Sequence, residues 1–299
     1  MDRYRPVIAG STLPLPPRQA GNVTPRALRE DLGRLAAVGF ESVDLVDSWL
    51  AFADLSSASR DHLAAAVADL GLGLSGISAI RRSIVDPIDG DANLEYTYRS
   101  IETAAQLGAP VLSIGFHRPL TEQQRSWDTF WAVEGPSDGP REFALAVERL
   151  TALCQHAASH QVELSLELYE DTLVGSGAAA VELLKAVDAP NLGINADLAN
   201  LHRVPRALTE TWRQTLELVI DRMNYWHVKN YRRASAYPDG PYLAWPTLLG
   251  DGDIDYRHAL RTARDHGYGG PLCIEHYGGD GLYAQAAGRS YLESLLETL

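Results

Sequence analysis

Leu164-Ser165-Leu166-Glu167-Leu168-Tyr169-Glu170 is a short apolar run that ends on acids. A run of this length suits a β-strand covered on both faces. Three later stretches repeat the form: Leu192-Gly193-Ile194-Asn195-Ala196-Asp197, Tyr225-Trp226-His227-Val228-Lys229-Asn230 and Leu272-Cys273-Ile274-Glu275-His276-Tyr277. Working outward, strand-like runs occupy residues 6–13, 42–46, 72–80, 110–115, 162–168, 192–196, 223–228 and 271–274. Amphipathic stretches separate them. Thr24-Pro25 supplies an N-cap and a proline at the first helical position, and Leu28, Leu32, Leu35 and Ala36 follow at helical spacing until Gly39. Helical patterns then cover 55–70, 94–107, 143–158, 178–187, 208–220, 256–266 and 282–296. Eight strands alternating with eight helices predict an α/β fold, a single (β/α)8 TIM barrel over residues 1–299. A doubly wound open sheet is the structural alternative.

The chain is long enough for such a core: it has 299 residues, 45% of them hydrophobic. The net charge of −13, from 39 acids against 26 bases, opposes a broad grip on nucleic acid or anionic lipid. Cys154 and Cys273 alone imply no disulfide framework. There is no apolar run of about 18 residues and no secretory leader pattern, so the expectation is a cytoplasmic protein without a membrane span. Lysine occurs only at Lys185 and Lys229, which makes each worth attention.

Polar residues at the C-terminal ends of barrel strands are where such enzymes place their chemistry. Glu167, Asp197, His227 and Glu275 end four successive strands. One buried carboxylate is costly, and three around an imidazole repel one another unless a cation lies between them. A divalent ion fits: manganese first, with magnesium, cobalt or zinc also compatible. Taken singly, each acid could equally cap a turn or pair with arginine, and the histidine could be an ordinary core residue. Strand alternation turns Lys229 the same way as His227, so it could stabilise a developing alkoxide or bind a substrate anion; a salt bridge to Glu170 is the bland alternative. His117, ending strand 4, is a candidate acid/base or substrate contact, or simply a loop histidine. Two long connections, 118–141 with Trp127, Phe130 and Trp131, and 231–255 with Tyr237, Tyr242 and Trp245, lie on the same side as the acids. They could be lids that touch substrate, Trp127 among them, or packing and interface surfaces.

This constellation resembles the sugar phosphate isomerase/epimerase superfamily, the xylose isomerase-like TIM barrels, with ketose 3-epimerases, inosose dehydratases and hydroxypyruvate isomerases as the nearest flavour. The carrying pieces are Leu166-Glu167, Asn195-Ala196-Asp197, Trp226-His227-Val228-Lys229 and Ile274-Glu275. The turn Leu249-Gly250-Asp251-Gly252-Asp253-Ile254-Asp255 and the strand Phe40-Glu41-Ser42-Val43-Asp44-Leu45 are similar to that family's as well. The resemblance implies that Glu167 and Glu275 both ligate the metal and act as acid and base. It also implies substrate contacts from Arg233, Tyr169 and Glu170. Asn200 stands where ketose epimerases often carry a substrate-site histidine. The endonuclease IV branch is similar in fold but needs histidines that are missing here.

The implied reaction is isomerisation or epimerisation of a keto-sugar or related polyol through a cis-enediolate, with proton removal by one glutamate and return by the other. The alternative is β-elimination on a keto-sugar, keto-inositol or 3-oxo-glycoside, as in C-glycoside deglycosidases; a binding-only barrel is the third reading. The Gly-rich turn at 277–281 carries Asp280 and no basic cluster, which favours a non-phosphorylated substrate. Loop aromatics and family habit suggest a homo-oligomer, dimer or tetramer.

Overall fold

The computed structural model describes residues 4–238 and 240–299. Thr24 Oγ1 accepts from Ala27 N at 3.2 Å and starts α1 (Pro25–Ala37), as the Thr-Pro pair predicts. In chain order follow β1 (Ile8–Ser11) before it, then β2 (Ser42–Val46), α2 (Ser57–Asp69), β3 (Gly73–Ala79), α3 (Gly90–Leu107), β4 (Val111–Ile114), the short α4 (Glu122–Arg125), α5 (Pro140–Ser159), β5 (Glu163–Glu167), α6 (Gly177–Val187), β6 (Leu192–Asn195), the short α7 (Leu198–His202), α8 (Trp212–Val219), β7 (Met223–Val228), β8 (Asn230–Ser235), β9 (Tyr242–Thr247), α9 (Tyr256–Asp265), β10 (Leu272–Ile274) and α10 (Gly281–Leu296).

The parallel strands close in the order β1-β10-β7-β6-β5-β4-β3-β2, which makes the (β/α)8 TIM barrel. The closed pairing of β1 with β10 excludes the open sheet. Leu28, Leu32 and Leu35 of α1, Leu150 and Leu153 of α5 and Leu292 and Leu295 of α10 pack inward, and their burial against the strands supplies the main core. Inside the barrel the filling is more polar. Tyr225 is fully buried there, and its hydroxyl donates to Asp44 Oδ1 at 2.8 Å. Gly76 makes room for it, since a Cβ at that position would lie 2.7 Å from the Tyr225 hydroxyl.

Two irregularities prepare the site. The β2–β3 register shifts between Val43 and Asp44, and the β6–β7 register shifts between Ile194 and Asn195. Both fall beside polar side chains that turn into the barrel, a common place for a bulge. The long connection expected over 231–255 contains an antiparallel ribbon, β8–β9, with Asn230 opposite Thr247 and Ser235 opposite Tyr242. Trp131 Nε1 donates to Ala244 O at 2.8 Å and ties the loop after β4 to this ribbon. Among the described residues no helix is long and apolar enough to cross a membrane.

Candidate active site

Glu167 is the last residue of β5, His227 lies within β7, Glu275 follows β10 directly, and Asp197 lies two residues past β6 as the N-cap of α7. One donor atom from each lies within 4.8 Å of the others, and all four residues are buried. His227 Nδ1 has no hydrogen-bond partner and faces Glu167 Oε1 and Glu275 Oε1, each at 3.5 Å. An unpartnered ring nitrogen aimed between two carboxylate oxygens is the donor arrangement a divalent cation needs.

The charges around the centre do not balance without one. Lys229 Nζ lies 2.6 Å from Asp197 Oδ2 and 2.8 Å from Glu275 Oε2. Burial disfavours the Lys229 charge, but Asp197 and Glu275 outweigh it and hold the ammonium well above the usual lysine range. Burial also disfavours a charged His227, and Glu275 and Glu167 outweigh that too. Even so, burial pushes the Asp197 carboxyl up to about 6 despite Lys229. Three carboxylates against one ammonium and one imidazole leave the cluster short of positive charge.

His227 is oriented from behind. Its Nε2 lies 3.2 Å from Ser78 Oγ and 3.5 Å from Asp44 Oδ2. Ser78 Oγ itself donates to Asp44, so its oxygen is left to accept from the imidazole N–H. In the neutral ring that a bound cation would require, this arrangement keeps the proton on Nε2 and leaves Nδ1 facing the cluster as the donor. His227 N donates to Asn195 Oδ1 at 2.8 Å, which fixes the backbone as well.

His117 is buried beside Glu167, with its unpartnered Nε2 3.6 Å from Glu167 Oε2. Burial pulls its pKa down to about 4, so the imidazole is neutral at neutral pH. Asn200 Nδ2 donates to Glu167 Oε1 at 3.0 Å and to Leu168 O at 3.0 Å; it holds the glutamate rather than facing open space. Tyr169 packs edge-on against His117 with ring centroids 4.0 Å apart, and neither its hydroxyl nor Glu170 Oε2 has a partner. The salt bridge weighed between Lys229 and Glu170 is not formed: Lys229 takes Asp197 and Glu275, and Glu170 takes Arg203.

Two expected substrate contacts lie elsewhere. Arg233 sits on β8, donates to Val204 O at 3.3 Å and to Arg206 O, and stacks over Tyr242 at 3.6 Å. Arg233 shares the ribbon face of Tyr231 and pairs opposite the buried Ala244, but its guanidinium runs off to the carbonyls of Val204 and Arg206. Trp127 is 52% exposed in its loop; the aromatic cover comes instead from Phe130 and Trp131. A guanidinium near the cluster belongs to Arg203, which sequence reasoning missed. It is fully buried after α7, bonded to Glu170 and Tyr231, and lies 5.0–5.7 Å from the rings of Phe130, Trp131, Tyr169, Tyr231 and Tyr277. Nothing in Leu201-His202-Arg203 marks it, because its partners are distant in sequence.

These rings roof the barrel mouth. Beside Phe130, a cleft of about 30 Å³ opens between the loops after β3, β4 and β5, lined by Arg81, His117, Phe130, Tyr169 and Glu170 among others. A larger hollow of about 530 Å³ lies among Arg5, Glu41, Arg289 and Glu297 at the other end of the barrel, remote from the acids.

The profile of the xylose isomerase-like TIM barrel family matches residues 32–295. A xylose isomerase-like TIM barrel protein of Mycobacterium smegmatis, solved in complex with magnesium, is 35% identical and superposes with a TM-score of 0.92, covering 98% of this chain and 97% of that one. A putative L-ribulose-5-phosphate 3-epimerase of Escherichia coli is 26% identical over 240 residues, 78% of this chain and 77% of that protein. A 3-dehydroshikimate dehydratase of Bacillus anthracis is 26% identical over 147 residues, which span 46% of this chain and about half (51%) of that protein. The chain belongs to the xylose isomerase-like TIM barrel family.

Proposed function

We propose that the protein is a divalent-metal-dependent isomerase or epimerase of a keto-sugar or related polyol. The observation that carries this reading is the pair Glu167 and Glu275, each turning one oxygen toward His227 Nδ1 from a different strand. A divalent ion held by Glu167, Asp197, His227 and Glu275 would polarise a carbonyl and acidify the neighbouring C–H. Manganese is our first choice for an oxygen-rich set with one nitrogen; magnesium, as in the Mycobacterium smegmatis relative, is next.

One glutamate then takes the α-proton and the other returns a proton. Return to the opposite face of the same carbon is epimerisation; return to the adjacent carbon is isomerisation. Lys229 stays charged and stabilises negative charge developing on a substrate oxygen. Glu170 Oε2 and the Tyr169 hydroxyl, both unpartnered, serve substrate hydroxyls. A non-phosphorylated substrate is favoured, because Asp280 already caps the N-terminus of α10 by accepting from Tyr283 N at 3.0 Å.

A second reading, elimination by a lyase or dehydratase, is favoured by His117. Its position 3.6 Å from Glu167 supplies a third proton carrier for a leaving group. We further propose a cytoplasmic homo-oligomer, dimer or tetramer, that covers the exposed Tyr237, Leu243 and Trp245 of the ribbon region; light scattering of the purified chain tests it, and a monomer refutes it.

The deciding experiment incubates a panel of ketoses with the enzyme and manganese in D₂O, with and without chelator. We expect chelator-sensitive incorporation of α-deuterium with no loss of water. Loss of water or aglycone selects the second reading. Neither exchange nor elimination across the panel overturns both.

A further inference from the structure

Outside the barrel mouth, two pairs of side chains at helical i, i+4 spacing face each other. Tyr98 and Glu102 lie on α3; His156 lies on the last turns of α5, and His160 is its C-cap. We propose that Glu102, His156 and His160 form a second metal site, which takes a zinc-type transition-metal ion and clamps α3 to α5.

One donor atom from each residue lies within 4.8 Å of the others. The two imidazole centroids are 4.6 Å apart, and His156 Nε2 is 3.5 Å from Glu102 Oε1. A tetrahedral centre with bonds of about 2 Å holds its donors roughly 3.3 Å apart, so small side-chain rotations complete the set. His156 Nε2 is shielded from solvent and has no hydrogen-bond partner, although its side chain as a whole is 28% exposed. Tyr98 packs edge-on against the His156 ring at 5.0 Å and holds it facing Glu102. His160 sits at the negative end of α5, which favours a bound cation. Two imidazoles and one carboxylate suit zinc, nickel, cobalt or copper, whereas the buried cluster offers three carboxylates and one imidazole. Side chains 28% and 53% exposed leave the remaining position to water.

The test is equilibrium dialysis of the full chain at micromolar free zinc, followed by elemental analysis. We expect His160→Ala and Glu102→Gln each to lose one zinc relative to wild type, while both keep the manganese-dependent activity. His227→Gln should lose the other zinc and keep this one. As a second readout, zinc added to manganese-saturated protein should raise the melting temperature of wild type more than that of His160→Ala. Equal zinc content and equal melting shifts in wild type and in both outer-site variants overturn the proposal, and reduce the cluster to a Glu102–His156 ion pair.

Discussion

The Lys229 ammonium lies 2.6 Å from Asp197 Oδ2, inside a cluster that also holds Glu167 and Glu275. In the ion-free protein this lysine is the nearest counter-charge. Lys229→Met removes it and leaves the carboxylates to His227 alone. Breaking one side of a buried ion pair costs about 3–5 kcal/mol. We expect a loss of that order in denaturant unfolding with chelator present, and a smaller loss when manganese is bound. Equal losses in the two conditions would show that the lysine and the ion do not share the task of neutralising the acids.

Glu167→Gln and Glu275→Gln keep the side-chain shape and remove the proton-accepting charge. Each should lower turnover by about 10²–10⁴-fold. Deuterium exchange separates their roles. The variant of the residue that removes the α-proton loses exchange and turnover together; the other keeps exchange into the substrate while product formation stops. Full activity in either variant would contradict the two-glutamate mechanism.

The strands were readable because each is an apolar run bounded by breakers: 42–46 and 223–228 are found at their expected limits. The quartet was readable because Glu167, Asp197, His227 and Glu275 each end such a run. The β8–β9 ribbon was not, since Arg232, Arg233 and Pro246 give it no strand-like pattern; it is held by burial of Tyr231 and Ala244 over the barrel mouth. Arg203 was invisible for a related reason. Its burial depends on Glu170, 33 residues away, and on rings from four separate loops and strands.

Arg203 and Glu170 are expected to behave as a unit. Arg203 Nε and Nη2 both reach Glu170 Oε1 at 2.8 Å. Arg203→Met or Glu170→Gln alone should cost about 3–5 kcal/mol, because each leaves a buried group without its partner. The double variant should cost little more than either single one. A strictly additive double-mutant cycle would argue that the aromatic cage, not the glutamate, holds the guanidinium.

Asp47, at the end of β2, gives a pH-dependence of known sign. Burial pushes its carboxyl up to about 6, against the lowering contacts from Ile80 N at 2.9 Å and Arg82 Nε at 3.3 Å. The unfolded carboxyl titrates at 3.8, so the unfolded chain loses this proton first as pH rises. The contribution to stability is therefore full below pH 3.8 and is lost as pH rises toward about 6. The slope is about 1.4 kcal/mol per pH unit for one proton. In Asp47→Asn the pH dependence between those limits should flatten by that amount, as measured by urea unfolding at stepped pH. An unchanged slope would mean that the carboxyl is already ionised in the folded protein.

Asp44 touches no proposed substrate atom, yet it should control ion affinity through His227. It accepts from Tyr225 and Ser78 and lies 3.5 Å from His227 Nε2. Its negative charge favours the tautomer whose Nδ1 is free for the cation. Asp44→Asn removes that bias, and its amide can compete as a donor. We expect manganese affinity to fall 10–100-fold, the usual effect of losing a carboxylate behind a ligating imidazole. Turnover at saturating manganese should change much less. Titration of manganese by its paramagnetic signal measures the first effect directly. If Asp44→Asn binds manganese as tightly as wild type, the ring is oriented by Ser78 and Asn195 alone, and Asp44 serves only to satisfy the Tyr225 hydroxyl.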